Sequence, residues 1–559
     1  MKTDYKTLWS KYKEGTDYKH VQDLYNTTKT NEKFYAGDQW DKGVAKSLLK
    51  ETYNFIEQLT DMKVSTVKSS EMTIKRSADD NDEEGSFAEE AANTLTLVDK
   101  QNWERLKMED KNEDTLLTAA LTGLGGTYWF WDNDIKTGND FQTKGNFDCD
   151  IIDAIDVYVS NPCEINIQLQ DTVQIPFKKT MKQVKAMAKK FGVSDEDIKL
   201  IVADEEQETN GYDKQINRQN EKDIVTVLLS MWKEKGNVWF SYSTNSITLK
   251  KKTNTELTRY PIAFMNWKKR KKYIYGTAEM TYIINNQKSA NTLASIRSLS
   301  AKLTSLPKIV YNKNMIQGVT SQAGGVYGVD IQPGTDIGGA LQYKQPTSSS
   351  IDIDKSMQSS ISLTKELKGI NDNVTGASRP ENRGALLLQQ KAAGVPIESI
   401  RRRYKQYIED VALIWLDFYV NKYKLNRKIK DENGEVIDYT GTNFKDLMLN
   451  TKIDVGESTQ FSEAISIDLL DNWKERQEIT FVEYLKRIPQ NLVPDTQGLI
   501  DIREEQKEQP AEQSVDQFLA QLPPEVQQVL LNQPNAEQLV QELMQLPPEQ
   551  QQAAIQQLI

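Results

Sequence analysis

Residues 280–306 read MTYIINNQKSANTLASIRSLSAKLTSL, a helical pattern whose surface is unusually small and polar. Asn291, Ser295, Ser298 and Lys302 fall on one side; Ala290, Ala294, Arg297 and Ala301 fall on another. Leu293, Ile296, Leu299 and Leu303 supply only a narrow apolar seam. Such a helix is weak in isolation and suits close packing beside copies of itself, with one face left wet. Pro307 ends it, because proline has no N–H to donate and crowds the preceding turn. The Gly-rich segment 317–339, with Ile309, Val310, Tyr311, Val326, Tyr327 and Val329, predicts short strands and turns, and a second helix follows over 351–370. The unit is therefore helix, small β insert, helix.

The charge around this unit runs against the rest of the chain. The whole protein has a formal charge of -11 and a pI near 5.1, yet Leu257 to Val329 holds eleven Lys and Arg residues and one carboxylate, Glu279. The basic patch Lys268, Lys269, Arg270, Lys271 and Lys272 thins to single cations at Lys288, Arg297, Lys302, Lys308 and Lys313. A sign reversal inside an acidic chain points to a polyanion, nucleic acid first, although a solvated basic turn also produces the 268–272 run.

Toward the C-terminus, Asn371 to Gly384 opposes regular structure and opens into one very long helix from Ala385 to about Tyr423. Gly394 and Pro396 predict a kink inside it. Beyond them Ile397, Ile400, Tyr404, Ile408, Val411, Trp415 and Phe418 make the stripe of a core helix. Residues 430–468 predict a strand pair turned near Asn433-Gly434, and Leu470 to Ile488 a helix. From Glu504 the chain is rich in Gln, Glu and Pro, with a degenerate repeat at Leu522-Pro523-Pro524-Glu525 and Leu546-Pro547-Pro548-Glu549. Short proline-started helices and a partly ordered polar tail both fit it.

The N-terminal half is mixed. Phe34 to Trp40 predicts an aromatic turn, followed by a helix with Leu49, Tyr53, Ile56, Thr60, Lys63 and Val67 on one stripe. After the exposed acidic run Asp79–Glu84, helices carry Phe87, Ala91, Leu95 and Val98, then Leu116, Leu117, Ala120 and Leu121 up to Gly123. Strands are expected at Thr127–Trp131 and Phe147–Val159, and a hairpin joins Ile224–Trp232 to Val238–Tyr242 through Lys235-Gly236-Asn237. Between them Thr180 and Ser194 cap two short helices.

Composition narrows the chemistry. His20 is the sole histidine, which disfavours mechanisms needing a histidine base or a His-ligated zinc, and Cys149 and Cys163 form neither a CxxC pair nor a disulfide framework. No GxxxxGK[ST] loop is present, so any motor is expected to be a partner. The start MKTDYKTLWSKYKEG lacks an apolar h-region, and no window approaches a bilayer span, so a soluble protein in a reducing setting is expected. The best enzyme candidate is Asp148 with Asp150, carboxylates at period two that could hold Mg²⁺, with Asp153 and Asp156 behind. The alternation with Phe147, Cys149 and Ile151 already explains them as the wet side of a half-buried strand.

As an order of elements, residues 30–490 resemble the portal proteins of tailed bacteriophages. The likeness is carried by the Phe34–Trp40 turn before an amphipathic helix, by the small-residue helix with Gln287 and Asn291 leading to an insert at Pro307, and by the loop running into Gly384-Ala385 and a kinked long helix. It implies an α+β, predominantly helical subunit, assembling with eleven copies of itself as a dodecameric ring at one capsid vertex. Genomic double-stranded DNA would be packaged and ejected through that ring, with no catalysis, metal or cofactor of its own and no membrane. The wing would be 1–277 completed by 425–465, the stem 278–304 and 348–372, and the clip 305–347. The tunnel loop would be 373–384, the long kinked helix 385–424, the crown 466–503 and a Gln/Pro-rich tail 504–559. Partners would be terminase, major capsid and scaffolding proteins and a head-completion adaptor, in the virion and, during assembly, the host cytoplasm. Lys288, Arg297 and Lys302, with Arg379 and Arg383 in the loop, are the DNA-facing candidates, sparse enough to guide a duplex without clamping it. Lys308 and Lys313 would meet partners at the clip. The competing readings are a metal-dependent nucleic-acid-processing enzyme using Asp148 and Asp150, and a head-completion adaptor.

Overall fold

The computed structural model describes residues 4–41, 49–68, 72–78, 85–135, 145–204, 223–305, 308–314, 334, 338, 341–344, 350–369, 383–430, 435–445, 449–455, 470–476, 478–488 and 527. The chain divides into two compact units, Met1–Glu457 and Ser458–Ile559. It is a mixed α+β protein in which helices predominate, and among the described residues no helix is long and apolar enough to cross a membrane. The acidic run 79–84, the strand candidates at 326–329, Arg379 with most of its loop, and the repeat-bearing tail lie outside the described residues.

Helices α1 (Tyr5–Val21) and α2 (Leu24–Tyr35) open the first unit, and the aromatic turn closes α2 at Gly37, whose φ is +82°. Helix α3 (Phe55–Lys68) starts later than the stripe from Leu49 predicts, because the N–H groups of Glu51 and Tyr53 in the non-helical stretch 51–54 bond side chains of another helix. Strand β1 (Met72–Ala78) was not expected. Helices α4 (Gly85–Leu106) and α5 (Met108–Thr122) follow, the latter stopped by Gly123 at φ +97°. Strands β2 (Leu124–Asp132) and β3 (Asn146–Asp153) pair antiparallel. The expected run to Val159 breaks after Asp153, whose Oδ1 accepts from the N–H groups of Ile155 and Asp156 at 2.7 and 3.0 Å and makes a turn.

A second sheet of order β4-β5-β6-β7-β8 is built from β4 (Tyr158–Val159), β5 (Val173–Thr180), β6 (Ile224–Glu234), β7 (Asn237–Ser243) and β8 (Thr248–Asn254). Helix α6 (Met181–Lys190) carries the full Thr180/Gln183 capping box, and Ser194 caps α7 (Asp195–Lys199). The β6–β7 turn sits where expected, with Lys235 and Gly236 both at positive φ. Strand β9 (Ile262–Asn266) completes the sheet β3-β2-β9, and β10 (Lys268–Arg270) with β11 (Tyr273–Thr277) forms a small hairpin.

Then come helix α8 (Ile284–Ser305), strands β12 (Lys308–Tyr311) and β13 (Leu341–Lys344) paired antiparallel, and helix α9 (Ser350–Leu367). Helix α10 (Arg383–Lys422) runs through Gly394 and Pro396 as one element and brings the chain back into the core. Its stripe from Ile397 to Phe418 is almost wholly buried, with Trp415 ringed by Trp103, Trp129 and Phe147 at 5.5 to 6.3 Å between centroids. Each such side chain contributes about 1.5–3 kcal/mol by leaving water. Strands β14 (Arg427–Lys430) and β15 (Val436–Tyr439) make the expected hairpin, while β16 (Leu449–Val455) crosses back to pair with β1. Arg76 locks that return: its guanidinium bonds Asp99 at 2.7 Å, the Ala412 carbonyl at 3.0 Å and Thr451 at 3.2 Å.

In the second unit the single helix expected over 470–488 is interrupted. Residues 470–475 are helical, and a new helix α11 (Phe481–Arg487) starts at Thr480, which forms a capping box with Glu483. A threonine side chain that satisfies an N-terminal N–H begins a helix better than it continues one.

Candidate nucleic-acid interface

Helices α8 and α9 form an antiparallel arm. Asn286 bonds Thr364 at 2.9 Å near one end and Arg297 bonds Asp354 at 2.8 Å further along, with the β12–β13 pair between the two helices in sequence. Part of the small, polar surface of α8 is covered within the chain itself. Gln287, Asn291 and Ser295 are buried, and they hold the backbone of 51–56: Ser295 Oγ accepts from the Glu51 N–H, Asn291 Oδ1 from Tyr53, and Gln287 Oε1 from Ile56, all at 3.2–3.3 Å. Gln287 and Asn291 also donate to the Tyr53 carbonyl and to Gln39 Oε1 at 2.6 Å. Ala290 and Ala294, not the leucine seam, are the fully buried apolar positions, packed with Phe34, Phe55, Ile56 and Leu59, while Ile296 is exposed. Non-helical backbone and the first turn of a helix both leave N–H groups without backbone partners, and side chains carrying donors and acceptors satisfy them.

The three cations of α8 are not brought together. At 3.6 residues per turn Lys302 lies about 40° from Lys288 around α8, whereas Arg297 lies about 180° away. Lys288 is exposed, 3.9 Å from Asp41 and over the Phe34 ring. Arg297 is held between Asp354 and the Tyr53 hydroxyl, the latter at 2.7 Å, and the bond to Asp354 first of all raises its pKa. Lys302 and Lys313 are exposed, Lys308 opens β12 opposite Lys344, and Arg383 is the first residue of α10.

The run 268–272 is the β10–β11 hairpin, and all five of its cations are exposed. Its turn places Lys272 at φ +52°, an uncommon conformation for lysine, and the base is fixed by buried Tyr273, Ile274 and Tyr275. Gly276, at φ +67°, sits where a Cβ would lie 2.7 Å from the Gly123 carbonyl, which lets β11 close on the end of α5. Lys268 stands 5.4 Å from the centroid of Tyr282, which is 61% exposed, and Lys368 stands 5.7 Å from the same ring. The hairpin therefore flanks the root of the arm.

Glu279, the lone carboxylate of the basic stretch, points inward. It accepts from Lys63 at 2.7 Å and from the Trp267 indole at 2.9 Å, and lies 3.2 Å from Lys368 at the end of α9. Burial opposes its ionisation, but the two ammonium groups outweigh burial and hold its carboxyl below the usual range. Tyr282 and Lys368 were not singled out from the sequence, and Tyr53 was read only as part of a helix stripe. Only the proximity of Tyr282 to the basic run hinted at any of them.

Asp148 and Asp150 belong to a different place. Asp148 is ion-paired with Lys111 at 2.9 Å and accepts from the Cys149 N–H, while Asp150 and Asp156 line a cleft of about 1210 Å³ with Trp9, Tyr12 and Phe177. Burial first, then neighbouring Asp148, raises the Asp150 carboxyl. Among the described residues no group of three or more His, Cys, Asp or Glu side chains is arranged to hold a metal ion. Compared with known proteins, the chain matches no family model and no curated sequence.

Proposed function

We propose that the chain is the subunit of a ring-forming portal of a tailed bacteriophage, a twelve-copy channel for double-stranded DNA at one capsid vertex. The observation that carries this reading is the arm: two antiparallel helices enclosing a small β pair in sequence, leaving the α+β body at Glu279 and returning to the same core through α10. In this reading the arm is the stem, β12–β13 belong to the clip that meets terminase and the head-completion adaptor, and the body is the wing, facing capsid and scaffolding proteins. Exposed, widely spaced Lys288 and Lys302 would guide a duplex without gripping it. Arg297, tied inside its own subunit, would brace the stem. The channel would act in the virion after assembly in the host cytoplasm.

Negative-stain imaging of the purified full chain tests the proposal. Rings with an axial hole are expected, and a stable single-copy particle at every concentration would sink it. The enzyme reading needs Asp148 free for a metal, and Lys111 already neutralises it. Cleavage of plasmid DNA that depends on Mg²⁺ or Mn²⁺ and disappears in Asp150→Asn would restore that reading.

A further inference from the structure

We infer that the β10–β11 hairpin, rather than the stem, is where this chain holds a polyanion, and that its ligand is the phosphate backbone of duplex DNA bound without regard to sequence. The inference takes from the proposed function only the identity of the polyanion; it does not need the ring.

Three observations carry it. Lys268, Lys269, Arg270, Lys271 and Lys272 are all exposed, and none makes an ion pair with another described residue. Glu164 and Asp410 line the 420 Å³ cavity beside Lys269 but stay outside ion-pair distance of it. Glu279 is turned inward onto Lys63 and Lys368, so it does not offset the hairpin's charge. By contrast Arg297 is neutralised by Asp354, and Lys288 faces Asp41.

The hairpin is also pre-shaped. Its backbone is pinned by strand pairing and by the buried side chains of Tyr273, Ile274 and Tyr275, so binding need not order a loop. A duplex carries one charge per roughly 1.7 Å of axis, with condensed counterions that exposed lysines release, and an acidic peptide offers no such reservoir. Tyr282, with Lys268 and Lys368 close to its ring, does not offer bases a bare stacking face, which fits backbone contact over base reading.

The test is fluorescence anisotropy of the full chain with two unrelated labelled 30-bp duplexes between 50 and 200 mM KCl. Both sequences should bind alike. The triple change Lys269→Glu, Lys271→Glu, Lys272→Glu should weaken binding at least tenfold and flatten the log–log salt slope by about 2.7 for each engaged subunit, at roughly 0.9 per phosphate contact. The matching Lys→Arg triple should restore the slope, and Arg297→Gln should bind within twofold of the parent. Circular dichroism melts confirm that the exposed hairpin variants fold. Duplex binding unchanged in the Lys→Glu triple overturns the inference, as does hairpin-dependent binding of poly-glutamate as tight as that of the duplex. Rings with unchanged duplex binding would sink this inference alone, whereas a single-copy chain whose binding needs the hairpin would support it and sink the portal reading.

Discussion

Helices α8 and α10 belong to one compact unit and are stabilised in opposite ways. The distal half of α10 buries large apolar side chains, Trp415 and Phe418 among them, against β2 and β3. Helix α8 buries Ile284 at its start, two alanines and three polar side chains that bind the backbone leading into α3. Apolar burial is non-directional and scales with area, whereas the α8 contact is a register of discrete hydrogen bonds. The first fixes how stable the body is. The second fixes where along the arm the 51–56 segment sits, and with it the root of the arm.

The sharpest break in that contrast is Trp415→Ala, expected to cost about 3–5 kcal/mol in urea unfolding because it opens a cavity among aromatic neighbours. A loss below about 1 kcal/mol would mean that α10 is not the keystone. Glu279→Gln strikes the arm's root at comparable size, about 3–5 kcal/mol, by leaving Lys63 and Lys368 buried without their anion. Its pH signature separates it from Trp415. The folded-state carboxyl titrates below its unfolded-state value, so the contribution is complete above roughly pH 5.5 and is lost as acid protonates Glu279. The gap between parent and Glu279→Gln should thus narrow in melts at falling pH, and a gap independent of pH would contradict the assignment. Asn291→Ala should cost about 1–3 kcal/mol by orphaning the Tyr53 N–H and the Gln39 oxygen. Hydrogen exchange should then rise across 51–56 and not across α10. Arg297→Ala is the mildest, below about 1 kcal/mol, because its ion pair is largely solvated. A larger loss would show that helices α8 and α9 depend on it.

The legibility of these regions follows the same division. The α10 stripe could be read because large apolar residues at a 3.6 period have one stable solution. Thr180, Ser194 and Lys235-Gly236 could be read because caps and tight turns are local chemistry. The β1–β16 pairing could not, since it joins Met72 to Val455 and the buried face of β1 carries a charged residue, Arg76, beside Met72 and Ile74. Strand β5 was hidden by Pro176, which is tolerated because the two-residue β4 ends before it and asks nothing of its missing N–H. The charge of the hairpin was plain from composition. Its exposure, the inward turn of Glu279 and the capture of Arg297 by Asp354 were not, because each depends on a residue distant in sequence.

The long crossing of β16 to β1, with α10 laid over β2 and β3, has a consequence for synthesis. The hydrophobic faces of β2 and β3 leave the ribosome some 270 residues before the end of the helix that covers them, an interval of roughly 15–50 s at 5–20 residues per second. Throughout that interval Trp129 and Phe147 wait for Trp415, leaving apolar surface of the kind that chaperones cover. The body closes only when its own far end has been drawn home.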